Sequence, residues 1–149
     1  MRIISGVNKG RNLVDLGKGD PLAHLRPTSD RVRESIFNLI IGGRFGNKLE
    51  NCYILDMFAG TGALGLEALS RGAKSVLFVD NGQRAIQLLR KNISICGMEN
   101  KATIVKTDAT KKLPIPKQNS FDLVFIDPPY GKGLGLKALK ILTKYELLN

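Results

Sequence analysis

Strand patterns fall at CYILDMF (52–58), KSVLFVD (74–80), KATIVKTD (101–108) and FDLVFID (121–127), and the apolar runs of the first and the last read as buried strands. Between them the apolar positions spread out to helical spacing. LGLEALSRG (64–72) predicts a helix with Arg71 in its last turn and Gly72 just past it, and RAIQLLRKNISICG (84–97) predicts one with Ala85, Leu88, Leu89, Asn92 and Cys96 on a single face. RPTSDRVRESIFNLI predicts an earlier helix, capped by Thr28 or Ser29, with Asp30 in its first turn and Val32, Ile36 and Ile40 along its apolar side. LGLKALKILTKYELL (134–148) predicts a last helix, in which an apolar stripe of Leu134, Ala138, Ile141, Leu142 and Tyr145 runs beside a basic one of Lys137, Lys140 and Lys144. Ahead of all of these, RIISGV and RNLVDL flank a turn of Asn8, Lys9 and Gly10, the pattern of a β-hairpin.

Buried strands alternating with amphipathic helices predict an α/β fold with a parallel sheet covered on both faces. Right-handed crossovers make that fold Rossmann-like. The 149 residues suit one domain, with a basic hairpin at 1–27 belonging to the same domain as the body at 28–149. Composition adds three points. With 43% hydrophobic and 24% charged residues the chain reads as globular, its apolar runs are too short to cross a bilayer, and MRIISGVNKGR lacks the apolar stretch of a signal peptide, so a cytoplasmic location is expected. Cys52 and Cys96 lie far apart and His24 stands alone, so neither a metal site nor a disulfide is expected. Lys and Arg number 23 against 13 Asp and Glu, a net charge of +10 that suits a polyanionic partner without naming one.

In a parallel sheet the chemistry gathers just past the carboxyl ends of the strands. The first strand ends in DMFAGTGALG, where Gly60, Gly62 and Gly65 precede a helix and allow a tight turn and close approach of a ligand. Asp80 ends the second strand, placed to accept hydrogen bonds from a ribose diol. Asp108 ends the third, followed by Ala109, which is small enough to border an adenine ring. These features fit a nucleoside-containing cofactor of either of two kinds. A dinucleotide would rest its pyrophosphate on the helix terminus, whereas Asp56 before the glycines suits the α-ammonium of S-adenosylmethionine and would repel a pyrophosphate.

DPPY at the end of the fourth strand separates these readings. Two prolines hold the backbone extended, so the Asp127 carboxylate and the Pro128 carbonyl can both accept hydrogen bonds from one planar amine, with Pro129 stiffening the turn and Tyr130 stacking on the ring that bears the amine. That arrangement suits the exocyclic amine of a nucleobase. A nicotinamide-dependent oxidoreductase, or a nucleotide-binding Rossmann module without methyltransferase activity, would account for the glycines and leave DPPY idle.

MRIISGVNKGR, LRPTSDRVRESIFNLI, ILDMFAGTGALGLEALSRGA, VLFVD and FDLVFIDPPYGKG together resemble the RsmD-type bacterial methyltransferases, which modify a guanine N2 of 16S ribosomal RNA. The resemblance runs from Met1 to about Gly135. It implies a class I S-adenosylmethionine-dependent methyltransferase fold preceded by an RNA-contacting hairpin, and a reaction of the guanine(966)-N2 type on the small ribosomal subunit or an assembly intermediate. By matching motif, Asp56, Phe58, Ala59, Gly60, Thr61 and Gly62 would hold the methionine end of the cofactor and Asp80 its ribose, where many members carry Glu. Asn81 would lie beside the adenine with Asp108 and Ala109, and Asp127, Pro128, Pro129 and Tyr130 would grip the target amine. For RNA phosphate the candidates are Arg26, Thr28, Arg31 and Arg33, a track extended by Arg2, Lys9 and Arg11, with Lys132 beside the substrate backbone. A DNA adenine-N6 methyltransferase shares the tetrapeptide chemistry but usually carries an added recognition domain, for which this chain has no room. The resemblance also implies a longer sheet than the four strands read here, so the strand 121–127 is expected at an exposed apolar edge.

Overall fold

The computed structural model describes residues 1–15, 28–42, 49–115, 120–129 and 131–149; His24, Arg26 and Tyr130 lie outside the described residues. After an N-terminal arm come α1 (Asp30–Gly42), β1 (Tyr53–Met57), α2 (Ala63–Ser70), β2 (Ser75–Asp80), α3 (Gln83–Cys96), β3 (Ala102–Lys106), β4 (Leu123–Ile126) and α4 (Leu134–Lys144). The strands form one parallel sheet in the order β3-β2-β1-β4. Strand order therefore reverses at β1, whose neighbours are β2 on one side and β4 on the other.

Strand alternation divides the core in two. Ile54, Val76 and Phe78 face a cluster that includes Phe37, Leu66, Leu69, Leu89 and Ile93 from α1, α2 and α3. Leu55, Met57 and Val79 face the other way, toward Ala138 and Leu142 of α4. Asp56 has the parity of Ile54 and so lies on the α2 side. Every residue of α2 is buried, which explains why its apolar residues do not confine themselves to one stripe.

α1 keeps its predicted face at Ile36 and Ile40, which are partly buried against the core, and departs from it at Val32. Val32 is about half exposed, and the buried residues are Arg33 and Phe37. Phe37 meets Phe125 of β4 edge to face at 5.8 Å and lies under the Arg71 guanidinium at 4.8 Å. Arg33 is fully buried, its Nη2 donating to the Asp30 carboxylate at 2.6 Å and to the Arg2 carbonyl at 2.7 Å. The cap is Ser29, whose Oγ accepts from the Val32 N–H at 3.3 Å.

Residues 1–15 turn back on themselves through one antiparallel bridge, Arg2 to Asn12, with Ile3 and Leu13 buried. Side chains of the body hold the arm in place. The Glu67 carboxylate, fully buried, accepts from the Ile4 and Ser5 N–H groups at 2.8 and 3.0 Å and from Arg71 Nε at 2.7 Å. At Gly6, φ is +82° and a Cβ would lie 1.8 Å from the Ser70 carbonyl oxygen, so the arm reaches the end of α2 only with glycine there. Asn92 exchanges hydrogen bonds with the Val14 N–H and C=O and donates to the Thr61 carbonyl, joining arm, α3 and glycine loop.

The far edge of β4 is partly covered. Phe121 forms a parallel bridge with Leu148, its N–H donating to the Leu147 carbonyl and its carbonyl accepting from the Asn149 N–H, both at 2.9 Å. Among the described residues, Leu123–Ile126 pair with β1 alone. Within these residues no helix is long and apolar enough to cross a membrane.

Candidate active site

Because Met57 pairs with Ile126, the next residues off those strands, Phe58 and Asp127, emerge side by side at the point where strand order reverses. Crevices at such a point are the usual ligand sites of open parallel sheets. Phe58 carries a φ of 61°, an uncommon conformation for a bulky residue, and the loop that follows is pinned by Ala59 N–H donating to the Val79 carbonyl at 3.0 Å and Gly62 N–H to the Ala59 carbonyl at 2.8 Å. Gly62, at φ +83°, opens α2; a Cβ there would meet Leu89 Cδ1 at 2.4 Å. The loop is thus pressed against α3 with no spare volume behind it.

Three carboxylates face this loop. Asp56 is buried and its Oδ2 accepts from the Gly65 N–H at 3.0 Å. Burial, with smaller pushes from the charges of Asp127 and Asp80, raises its carboxyl to about 7 against the pull of the Gly65 N–H. Asp80 uses one oxygen on the Gly60 N–H at 2.8 Å and the other on the Gly82 N–H at 2.7 Å, so it fastens the glycine loop to the end of β2. Each oxygen keeps a further lone pair for a ligand hydroxyl. Asp127 stands at the mouth, exposed, and its Oδ2 accepts from the Thr28 hydroxyl at 2.7 Å.

The chemistry of this set fits S-adenosylmethionine. Three carboxylates gathered at one loop favour a cation, such as an α-ammonium or a sulfonium, over the pyrophosphate of a dinucleotide. Asp108 forms a closed turn, Oδ1 accepting from both the N–H and the hydroxyl of Thr110, and these bonds are the main reason its carboxyl lies below the usual range. Ala109 is buried in the α4-side cluster, and Asn81 is exposed at the end of β2. Among the described residues no group of three His, Cys, Asp or Glu could hold a metal ion.

The basic candidates divide. Lys9, Arg31 and Lys132 are exposed; Arg2 is exposed with its Nε 3.3 Å from Asp30; Arg11 is exposed and donates to the Ile95 carbonyl. Arg33 is a correction. It has no surface with which to meet a phosphate, because its guanidinium is enclosed and bonded to Asp30 and to the arm. Thr28 lies at the site itself, on Asp127. Sequence reasoning missed Glu67 and gave Asn92 a buried position but no role, although the two are the posts that hold arm and loop; the signals were a single charged residue in an apolar run for Glu67 and a single polar residue on an otherwise apolar helix face for Asn92.

Comparison with known proteins covers the whole chain. Residues 1–149 match the family described as Conserved hypothetical protein 95. The chain is 40% identical over 152 residues to YlbH of Bacillus subtilis, a match spanning 100% of this chain and 77% of that one. It is 37% identical to ribosomal RNA small subunit methyltransferase D of Haemophilus influenzae, across 100% of this chain and 74% of that one. The solved structure of yhhF from Escherichia coli superposes with a TM-score of 0.79 at 31% identity, covering 100% of this chain and 75% of that chain.

Proposed function

The chain belongs to the RsmD-type family of S-adenosylmethionine-dependent ribosomal RNA methyltransferases, and from that premise we propose that it methylates the exocyclic N2 amine of a guanine in 16S ribosomal RNA, at guanine 966 or its counterpart. The observation that carries this reading is the emergence of Asp127 beside Phe58 and the glycine loop, with the carboxylates of Asp56 and Asp80 behind. S-adenosylmethionine supplies the methyl group. Asp56 and the loop from Phe58 through Ala59, Gly60 and Thr61 to Gly62 hold its amino-acid end, Asp80 its ribose, and Asn81, Asp108 and Ala109 border its base.

A guanine amine is a weak nucleophile because its lone pair is delocalised into the ring. Hydrogen bonds from the amine to the Asp127 carboxylate and the Pro128 carbonyl favour a pyramidal nitrogen with its lone pair aimed at the methyl group. Pro129 stiffens that turn and Tyr130 stacks on the extruded base. Catalysis is then mostly orientation, a contribution on the order of several kcal/mol. Arg2, Lys9, Arg11, Arg26, Arg31 and Lys132 supply phosphate contacts, which fix the register of the RNA without reading its sequence.

The test is transfer of labelled methyl to small ribosomal subunits, naked 16S RNA and DNA, with the product nucleoside identified. Label on guanine N2 of the RNA supports the reading; label on DNA adenine alone overturns it in favour of an adenine-N6 enzyme. Asp127→Ala should lower turnover at least roughly 100-fold while the affinity for S-adenosylmethionine stays within about twofold. Near-normal turnover in that variant would remove Asp127 from the mechanism.

A further inference from the structure

Thr28 reads in the sequence as a candidate for RNA phosphate, yet its hydroxyl is committed elsewhere. Among the described residues it supplies the one hydrogen bond to the Asp127 carboxylate, at 2.7 Å. Asp127 is exposed, at the head of a turn whose prolines fix the backbone but leave the acid's own side-chain torsions free. A hydrogen bond to one oxygen restrains the swing of the carboxylate and favours one setting of its plane. Oδ1 is then left as the acceptor that Thr28 does not use, on the same turn as the Pro128 carbonyl.

Thr28 is itself held from behind. It immediately precedes the cap of α1, where Ser29 accepts from the Val32 and Arg33 N–H groups. The first turn of that helix is fastened to the arm, since Asp30 binds both Arg33 and Arg2 and Arg33 donates in addition to the Arg2 carbonyl. Burial alone would raise the Asp30 carboxyl, but hydrogen bonds and charge from Arg33 and then Arg2 bring it below its ordinary value, so it stays ionised in this role. A connected set of polar contacts thus runs from the arm to the acid that meets the amine.

We propose that Thr28 is a positioning residue for the methyl transfer: its hydroxyl fixes the orientation of Asp127, and α1 carries that constraint from the N-terminal arm to the catalytic turn. The inference rests on the reading of function above. It separates Thr28 from the phosphate-binding set, because a residue that orients Asp127 changes the rate of the chemical step, whereas a phosphate contact changes the affinity for RNA.

The experiment compares wild type, Thr28→Val, Thr28→Ala and Thr28→Ser, measuring kcat and KM on small ribosomal subunits, the Kd of S-adenosylmethionine and the melting temperature. Thr28→Val keeps the shape and loses the donor, and should lower kcat roughly 10- to 100-fold, with both affinities within about twofold and the melting temperature unchanged. Thr28→Ala should match it, so the result does not depend on one variant folding. Thr28→Ser should restore kcat to within about threefold of wild type. A Val or Ala variant with full kcat, a higher KM for RNA at unchanged kcat, or a Ser variant as slow as Val overturns the role of Thr28. A folded wild type that transfers no methyl to any RNA overturns the reading of function instead, and the two failures are told apart by that control.

Discussion

Asp56 illustrates how one buried residue links pH to both stability and ligand affinity. Its carboxyl is held near 7 in the fold, against an ordinary value of 3.8, chiefly by burial. The native chain therefore keeps a proton that the unfolded chain releases. This contribution to stability is fully present below pH 4 or so, declines as the pH rises from about 4 to about 7, and is level above that, with a total on the order of 4 kcal/mol. Denaturant midpoints across this window should fall for the wild type and flatten for Asp56→Asn. A cationic ligand reverses the preference, since it favours the ionised acid. The affinity for S-adenosylmethionine should therefore rise roughly tenfold between pH 6 and pH 8, with proton release seen by calorimetry in buffers of different ionisation enthalpy. Asp56, Asp80 and Asp127 were all legible as residues at strand ends, because a parallel sheet places its chemistry there. Arg33 was not: an arginine on a helix reads as surface, and only the Asp30 carboxylate and the Arg2 carbonyl, brought in by the arm, make its burial tolerable.

Among the elements, the strands and α3 were legible from their periodicity, and Ala85, Leu88, Leu89, Asn92 and Cys96 are all buried as predicted, whereas β3, at an edge of the sheet, has no fully buried residue. The arm was legible as a hairpin but not as something fastened down. Its attachment lies in Glu67, inside a helix with no exposed face to give it a wheel pattern. Glu67→Ala leaves two arm N–H groups and Arg71 without their acceptor and should destabilise the protein by about 3 kcal/mol in urea unfolding. Glu67→Gln should lose less, since it retains one acceptor oxygen. Gly62→Ala combines an unfavourable φ with a collision against Leu89, so it should weaken cofactor affinity and lower the melting temperature together.

For the whole molecule, the net charge of +10 leaves Lys9, Arg31 and Lys132 exposed and available to a polyanion, while Arg33 is spent internally. The double variant Lys9→Gln, Arg31→Gln should weaken RNA binding and shallow its dependence on salt by about one unit of slope for each phosphate that is no longer neutralised; an unchanged slope would place the RNA elsewhere. The pairing of Thr28 with Asp127 spans 99 residues of sequence, and no local pattern could have announced it. The bridge between Phe121 and Leu148 carries one more consequence. A strand is a stiff ruler, and about 20 Å of it separates Phe121 from Asp127. Asp122 helps to fix the zero of that ruler, its carboxylate taking the Tyr53 N–H and the Asn149 amide. Slippage by one residue at that end would turn every side chain of β4 to the opposite face and carry Asp127 away from both Thr28 and the glycine loop. Leu148 and Asn149 thus calibrate a distance at the opposite end of the sheet.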